Sequence, residues 1–240
     1  MDSKVLESYR KAGKIANEVK EWSRGLIEPD TKILDIAERI ESKIKENKAE
    51  LAFPVNICIN DITAHYTPKY NDETVLKEND LVAIDIGVHI DGYIADTAYT
   101  IDLSGKNSKM LEVNELALKK AIDLIKDGTS VREIGKIVQE TITSSGFKPI
   151  ENLTGHQIGQ YDLHAGISIP NIDVPYNWRL EESMVLALEP FVTNGYGRVI
   201  ESKHAEIFSL IEKKPTRIKE SRELLEIIEE RKKTGDKIKT

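Results

Sequence analysis

Asp91-Gly92 is the dipeptide that most constrains what this chain can fold into. It sits between two runs rich in Ile, Val, Tyr and Thr, within NDLVAIDIGVHIDGYIADTAYTIDL at Asn79–Leu103. Asp-Gly in that setting predicts a two-residue type I′ hairpin turn, because both central residues need positive φ. With Ile90 and Tyr93 flanking the turn, Asp85 falls opposite Ala98 and Gly87 opposite Asp96. Opposed residues share a face, so Asp85 and Asp96 become diagonal neighbours roughly 7–8 Å apart at Cα. A slip of one residue would send them to opposite faces. Leu81, Val82, Ala83, Ile84 and Ile86 make the first strand apolar on both faces, as a buried strand requires. Two carboxylates converging from apolar strands repel each other and lose hydration. Either one holds a proton or a cation sits between them, and the cation is the more economical solution. A solvated hairpin face would need neither.

Composition sets the outer limits. The 240 residues suffice for one large domain, and 40% hydrophobic with 31% charged residues gives a globular chain with a real core. A net charge of −7 argues against nucleic acid as a main partner, since no domain-wide positive field gathers phosphates. The single cysteine, Cys58, precludes an internal disulfide framework and suits a reducing, cytoplasmic setting. No run approaches ~18 apolar residues, so no membrane span is expected.

Two helices are expected first. Residues Val5, Leu6, Tyr9, Ala12, Ile15, Ala16, Val19 and Trp22 make one apolar stripe over Ser3–Leu26, with Ser3 as N-cap and with Gly25 and then Pro29 closing it. A second stripe (Leu34, Ala37, Ile40, Ile44) spans Thr31–Asn47, capped by Asp30 or Thr31. Leu51–Asn60 reads as an edge strand because Pro54 cannot donate to a ladder. His65 follows on a short loop, where a lone histidine is more often structural than functional. After the hairpin, Asn107–Asp127 reads as a helix closed by Gly128. Ser130 and Glu133 have the spacing of a capping box that opens a helix to Ser145, closed by Gly146. Helix pair then strands thus occurs twice, the pattern of a duplicated α+β unit.

The second half carries further candidate ligands. In NLTGHQIGQYDLHAGISIP at Asn152–Pro170, His156 and His164 lie eight apart, each near a glycine. In one extended run an even offset would keep them on one face. Ser183–Thr193 reads as a third apolar strand with Glu189 inside it, and a glutamate is almost never fully buried alone. Asp85, Asp96, His156 and Glu189 together make an oxygen-plus-imidazole set, which suits Mn, Fe, Co or Zn rather than Ca or a thiolate zinc site.

The motifs AFP (Ala52–Pro54), AHYTP (Ala64–Pro68), AIDIGVHIDGYIADTAYT (Ala83–Thr100), GHQIGQYDLHAGISIP (Gly155–Pro170) and LALEP (Leu186–Pro190) resemble those of type II methionine aminopeptidases of the archaeal kind. The resemblance implies an α+β pita-bread fold with pseudo-two-fold duplicated halves over residues 1–199. It implies two divalent metal ions (Co, Mn, Fe or Zn). Asp85 would bind one metal, Asp96 would bridge both, and His156 and Glu189 would bind the second. His65, His164 and Glu189 would be catalytic, with His164 near the scissile carbonyl and His65 on the leaving side. Phe53, Pro54 and Leu163 would line the pocket for the methionine side chain. The implied activity is removal of initiator methionine from nascent polypeptide N-termini in the cytoplasm, at or near the ribosome, by a monomer. The same fold also serves X-Pro dipeptidases and inactive binding modules. The family has a fifth ligand, a second bridging Glu, in a late segment resembling QFEHT. No such segment occurs here, and neither Glu201 nor Glu206 sits in a motif that replaces it. Residues 200–240, including a charged amphipathic helix at Lys219–Lys233, resemble the start of the type II helical insertion. The expectation is a fragment of a longer enzyme, lacking closing strands and impaired alone.

Overall fold

Apolar spacing of three and four dictates where the first helices pack. A computed structural model describes residues 1–201, 207, 210 and 212–234, with side chains through Glu229. Glu206 and part of the 200–240 segment lie outside the described residues. Contacts divide the chain into two units, one formed by Asp2–Leu103 with the described residues after 201, the other by Ser104–Glu201 with Met1.

In the first unit, helix α1 (Ser3–Ser23) buries Ala12, Ile15, Ala16 and Val19, and a short 3-10 turn (Arg24–Leu26) ends it. Its N-cap is Asp2 rather than Ser3, because the Asp2 carboxylate accepts from the Lys4 N–H at 2.7 Å. Helix α2 (Ile33–Glu46) buries Ile33, Ile36, Ala37, Ile40 and Ile44. Neither Asp30 nor Thr31 caps it. Lys32 holds the N-cap position without a side-chain bond, and the Ile33 N–H donates instead to the Thr74 carbonyl at 3.1 Å. The neighbouring segment thereby satisfies a donor that a side-chain cap would otherwise take.

Three antiparallel strands follow: β1 (Glu50–Ile59), β2 (Leu81–Ile90) and β3 (Tyr93–Asp102), in the order β1-β2-β3. β1 is the expected edge strand, and register shifts fall between Leu51 and Phe53 and between Phe53 and Asn56, the second spanning Pro54. β2 and β3 pair in the expected register from Ile90↔Tyr93 through Asp85↔Ala98 to Leu81↔Asp102. Asp91 (φ 52°) and Gly92 (φ 82°) supply the two positive angles of the turn. Val82, Ile84, Ile86 and Val88 are fully buried and join the helix residues in one core. That core occupies one face of β2, so Ala83, Asp85, Gly87 and His89 belong to the other.

The second unit repeats the order. Helix α3 (Ser108–Leu124) and helix α4 (Val131–Thr143) precede the strands. α3 stops three residues short of Asp127. Ile125 turns extended, and the Thr129 hydroxyl donates to the Leu124 carbonyl at 3.0 Å, so Gly128 (φ 79°) serves the loop rather than the helix end. α4 has the full Ser130–Glu133 capping box. Strands β4 (Lys148–Pro149), β5 (Gly155–Gly159), β6 (Asp162–Ile169), β7 (Val185–Ala187) and β8 (Val192–Thr193) form a two-stranded sheet β4-β8 and a three-stranded sheet β6-β5-β7. The single strand expected over 183–193 is therefore two short ones, separated by the stretch containing Pro190. Helix α5 (Lys219–Thr234) occupies the expected charged segment, with Leu224 and Ile227 exposed.

Candidate metal centre

The hairpin places the first pair of candidate ligands. Asp85 opposes Ala98 and Asp96 opposes Gly87, so both carboxylates share the face of the sheet turned away from the helix-packed core. Both residues are half-buried. Phe53 pairs with Gly87 in the same row. Its ring occupies the space that a Cβ on Gly87 would need, so glycine here makes room for an aromatic beside Asp96. Pro54 is buried next to it.

Asn56 is the residue that sequence reasoning missed on this face. It opposes Asp85 and is 3% exposed. Its Nδ2 donates to the Pro54 carbonyl at 2.8 Å. Its Oδ1 is buried with no hydrogen-bond donor among the described residues. No periodicity or motif marks it, because the bulges around Pro54 decide where it points.

His65 stands exposed on its loop with φ 65°. A non-glycine residue in the left-handed region costs of order 1–3 kcal/mol, and such residues cluster at functional sites. The surrounding loop over-determines the conformation. The Ile57 N–H donates to the Tyr66 carbonyl at 2.7 Å, and Thr67 Oγ1 donates to the Val55 carbonyl at 2.9 Å. Tyr66 also donates through its hydroxyl to Asp72 at 2.6 Å. Burial works against the Asp72 carboxylate, yet hydrogen bonds from Thr74, Tyr66 and Lys69 outweigh it and hold its pKa below the ordinary value.

The second unit contributes a histidine–carboxylate pair. His156 on β5 opposes Ala187 on β7, and Glu189 lies two residues further, past the end of β7. Gly155 permits the approach, since a Cβ there would strike the Ala187 carbonyl. His156 Nε2 lies 2.9 Å from Glu189 Oε1, with side-chain exposures of 9% and 31%. That distance is a hydrogen bond holding one proton between two good ligands, the arrangement a cation can replace. His164 also meets His156, with ring centroids 4.4 Å apart and planes at 65°. The two histidines do not share one extended run. A turn at residues 160–161 (Tyr161 φ 55°) folds β6 back on β5, and the rings meet across the ladder rather than along a strand. Leu163 is half-buried at the bulge between the Gly159–Asp162 and Gln157–Ala165 pairs.

Residues 7–214 match the model of metallopeptidase family M24. The chain belongs to that family. A methionine aminopeptidase of Archaeoglobus fulgidus is 47% identical over 98% of this M24 chain and 80% of its own length. That of Thermococcus onnurineus is 49% identical over 91% of this chain and 75% of its own. The crystal structure of the Thermotoga maritima methionine aminopeptidase superposes with a TM-score of 0.78 at 28% identity, covering 85% of each chain. The fold is thus the α+β pita-bread fold of these enzymes, and membership of a metallopeptidase family means that a divalent metal is used. Among the described residues no helix is long and apolar enough to cross a membrane.

Proposed function

We propose that this M24 chain is a metal-dependent aminopeptidase that removes N-terminal methionine from newly made polypeptides in the cytoplasm. The observation that carries this reading is the His156–Glu189 pair at 2.9 Å, in a chain 47% identical to a methionine aminopeptidase over nearly its whole length. Asp85, Asp96, His156 and Glu189 are the residues that would hold two divalent ions drawn from Co, Mn, Fe or Zn. The donor set fits such ions, since hard carboxylates and a neutral imidazole suit borderline divalent metals. Bound there, the metal supplies Lewis acidity, polarising a carbonyl oxygen and making water nucleophilic at neutral pH.

The remaining residues bind, orient and move protons. Phe53, Pro54 and Leu163 supply apolar surface for the methionine side chain. Glu189 takes up the proton that the attacking water loses and returns it to the leaving amine, a task for a carboxylate already within reach of an imidazole partner. His164, seated against His156, donates to the scissile carbonyl, and His65 orients the peptide on the leaving side. The substrate is a polypeptide N-terminus with a free amine, met at or near the ribosome by a monomeric enzyme.

The test is methionine release from a Met-Ala-Ser peptide with Mn or Co added, beside an X-Pro dipeptide. Slow release of methionine with no cleavage of the dipeptide is expected. The reverse preference would make the chain a dipeptidase of the same fold. Metal uptake without turnover of either substrate would make it a binding module.

A further inference from the structure

Glu189 lies on no strand. β7 ends at Ala187 and β8 begins at Val192, so the ladder that fixes His156 opposite Ala187 stops short of it. What holds the Glu189 peptide is Asn171, just beyond β6 and only 2% exposed. Its Nδ2 donates to the Glu189 carbonyl at 2.7 Å and to the Leu153 carbonyl at 2.9 Å. Leu153 lies three residues before His156. Both acceptors are carbonyl oxygens, so the nitrogen end of the amide must face them, and both of its protons are used. One buried side chain therefore ties the segment entering β5 to the segment bearing Glu189.

We propose that Asn171 is a positioning residue whose two hydrogen bonds set the separation of the His156 and Glu189 side chains, and through it the affinity for a divalent ion. The inference rests on reading those two residues as metal ligands. Groups that orient a ligand without touching the metal typically change its affinity 10–100-fold when removed. A side chain that merely satisfies two buried carbonyls would change stability and leave affinity alone. Two readouts separate the cases. Thr141, buried in α4 with its hydroxyl donating to the Ile137 carbonyl, serves as the control for a purely structural loss.

The experiment compares wild type, Asn171→Ala, Asn171→Asp and Thr141→Ala. Asn171→Asp keeps the shape but turns an oxygen toward both carbonyls, so it removes the bonds without opening a cavity. Hydrogen exchange on the metal-free chains should rise at least tenfold across residues 188–191 in both Asn171 variants, but not in Thr141→Ala. Calorimetric titration with Mn should weaken about 10–100-fold in the same two variants, and stay near wild type in the control. Asn171→Ser keeps a donor too short to span both carbonyls and takes the place of any variant that does not fold. Mn affinity in the Asn171 variants equal to wild type would overturn the inference alone. Failure of the wild type to take up Mn would sink the ligand reading and this inference with it.

Discussion

His156 Nε2 and Glu189 Oε1 are held 2.9 Å apart although His156 lies in a ladder and Glu189 beyond its end. A cation entering here would displace a proton from geometry already close to ligating. Mn at about 100 times its dissociation constant should therefore stabilise the chain by about 2.7 kcal/mol, read as a rise in Tm. His156→Ala should reduce the rise, because it removes a ligand of one of the two proposed ions, while leaving the metal-free Tm within a few degrees. A metal-linked gain undiminished in His156→Ala would mean that His156 holds no ion.

Gly87→Ala should act through Phe53. The new methyl would overlap the Phe53 ring, which must rotate out of its row beside Asp96. Overpacking of this kind costs about 1–3 kcal/mol, measurable by urea unfolding. KM for a methionyl peptide should rise more than kcat falls. Adding Phe53→Leu should recover part of the lost stability, because the two changes share one contact.

Asp72 sets an acid limit on the loop that carries His65. Its depressed pKa means that its contribution is fully present above the unfolded value of about 3.9. That contribution disappears as pH falls through the still lower folded value. Hydrogen bonds to a charged group are worth about 1.5–3 kcal/mol, so Asp72→Asn should lose stability near neutral pH. It should also flatten the stability profile below pH 4. Denaturant midpoints from pH 3 to 7 would show both effects, and parallel profiles would dismiss the assignment.

Cys58 should be silent. Burial pushes its thiol up to about 11, with a Tyr66 backbone hydrogen bond lowering it and the Asp85 charge raising it. At pH 8 almost no thiolate exists, and the residue is 3% exposed. Iodoacetamide should leave the native chain unmodified over hours and label it within minutes in urea, as mass spectrometry would record. Rapid labelling of the native chain would mean that β1 opens locally.

Much of the first unit was legible in the sequence because its signals are local. Asp91-Gly92 fixes a turn type, the turn fixes the register, and the register fixes the faces of Asp85 and Asp96. The second unit was less legible. His156 and His164 meet through a turn whose bulges no periodicity announces. Glu189 sits in an interruption that Pro190 imposes on an otherwise strand-like run. The start of α2 departs from its local signals because a tertiary contact supplies the donor's partner, as Thr74 does for Ile33. Asn56 and Asn171 were invisible for different reasons: the bulges around Pro54 decide where Asn56 points, and Asn171 acquires its role from carbonyls that only the folded chain brings near.

The Asp91-Gly92 turn also has a temporal consequence. It closes ten cross-strand pairs, from Ile90↔Tyr93 to Leu81↔Asp102, with a connection of two residues. Loop-closure entropy is least for so short a connection, and structures dominated by local contacts form fastest. The stretch bearing Asp85 and Asp96 is complete once about residue 102 has been synthesised, before His156 or Glu189 exists. Two of the four proposed ligands thus become neighbours while the chain is still growing, before the other two have been synthesised.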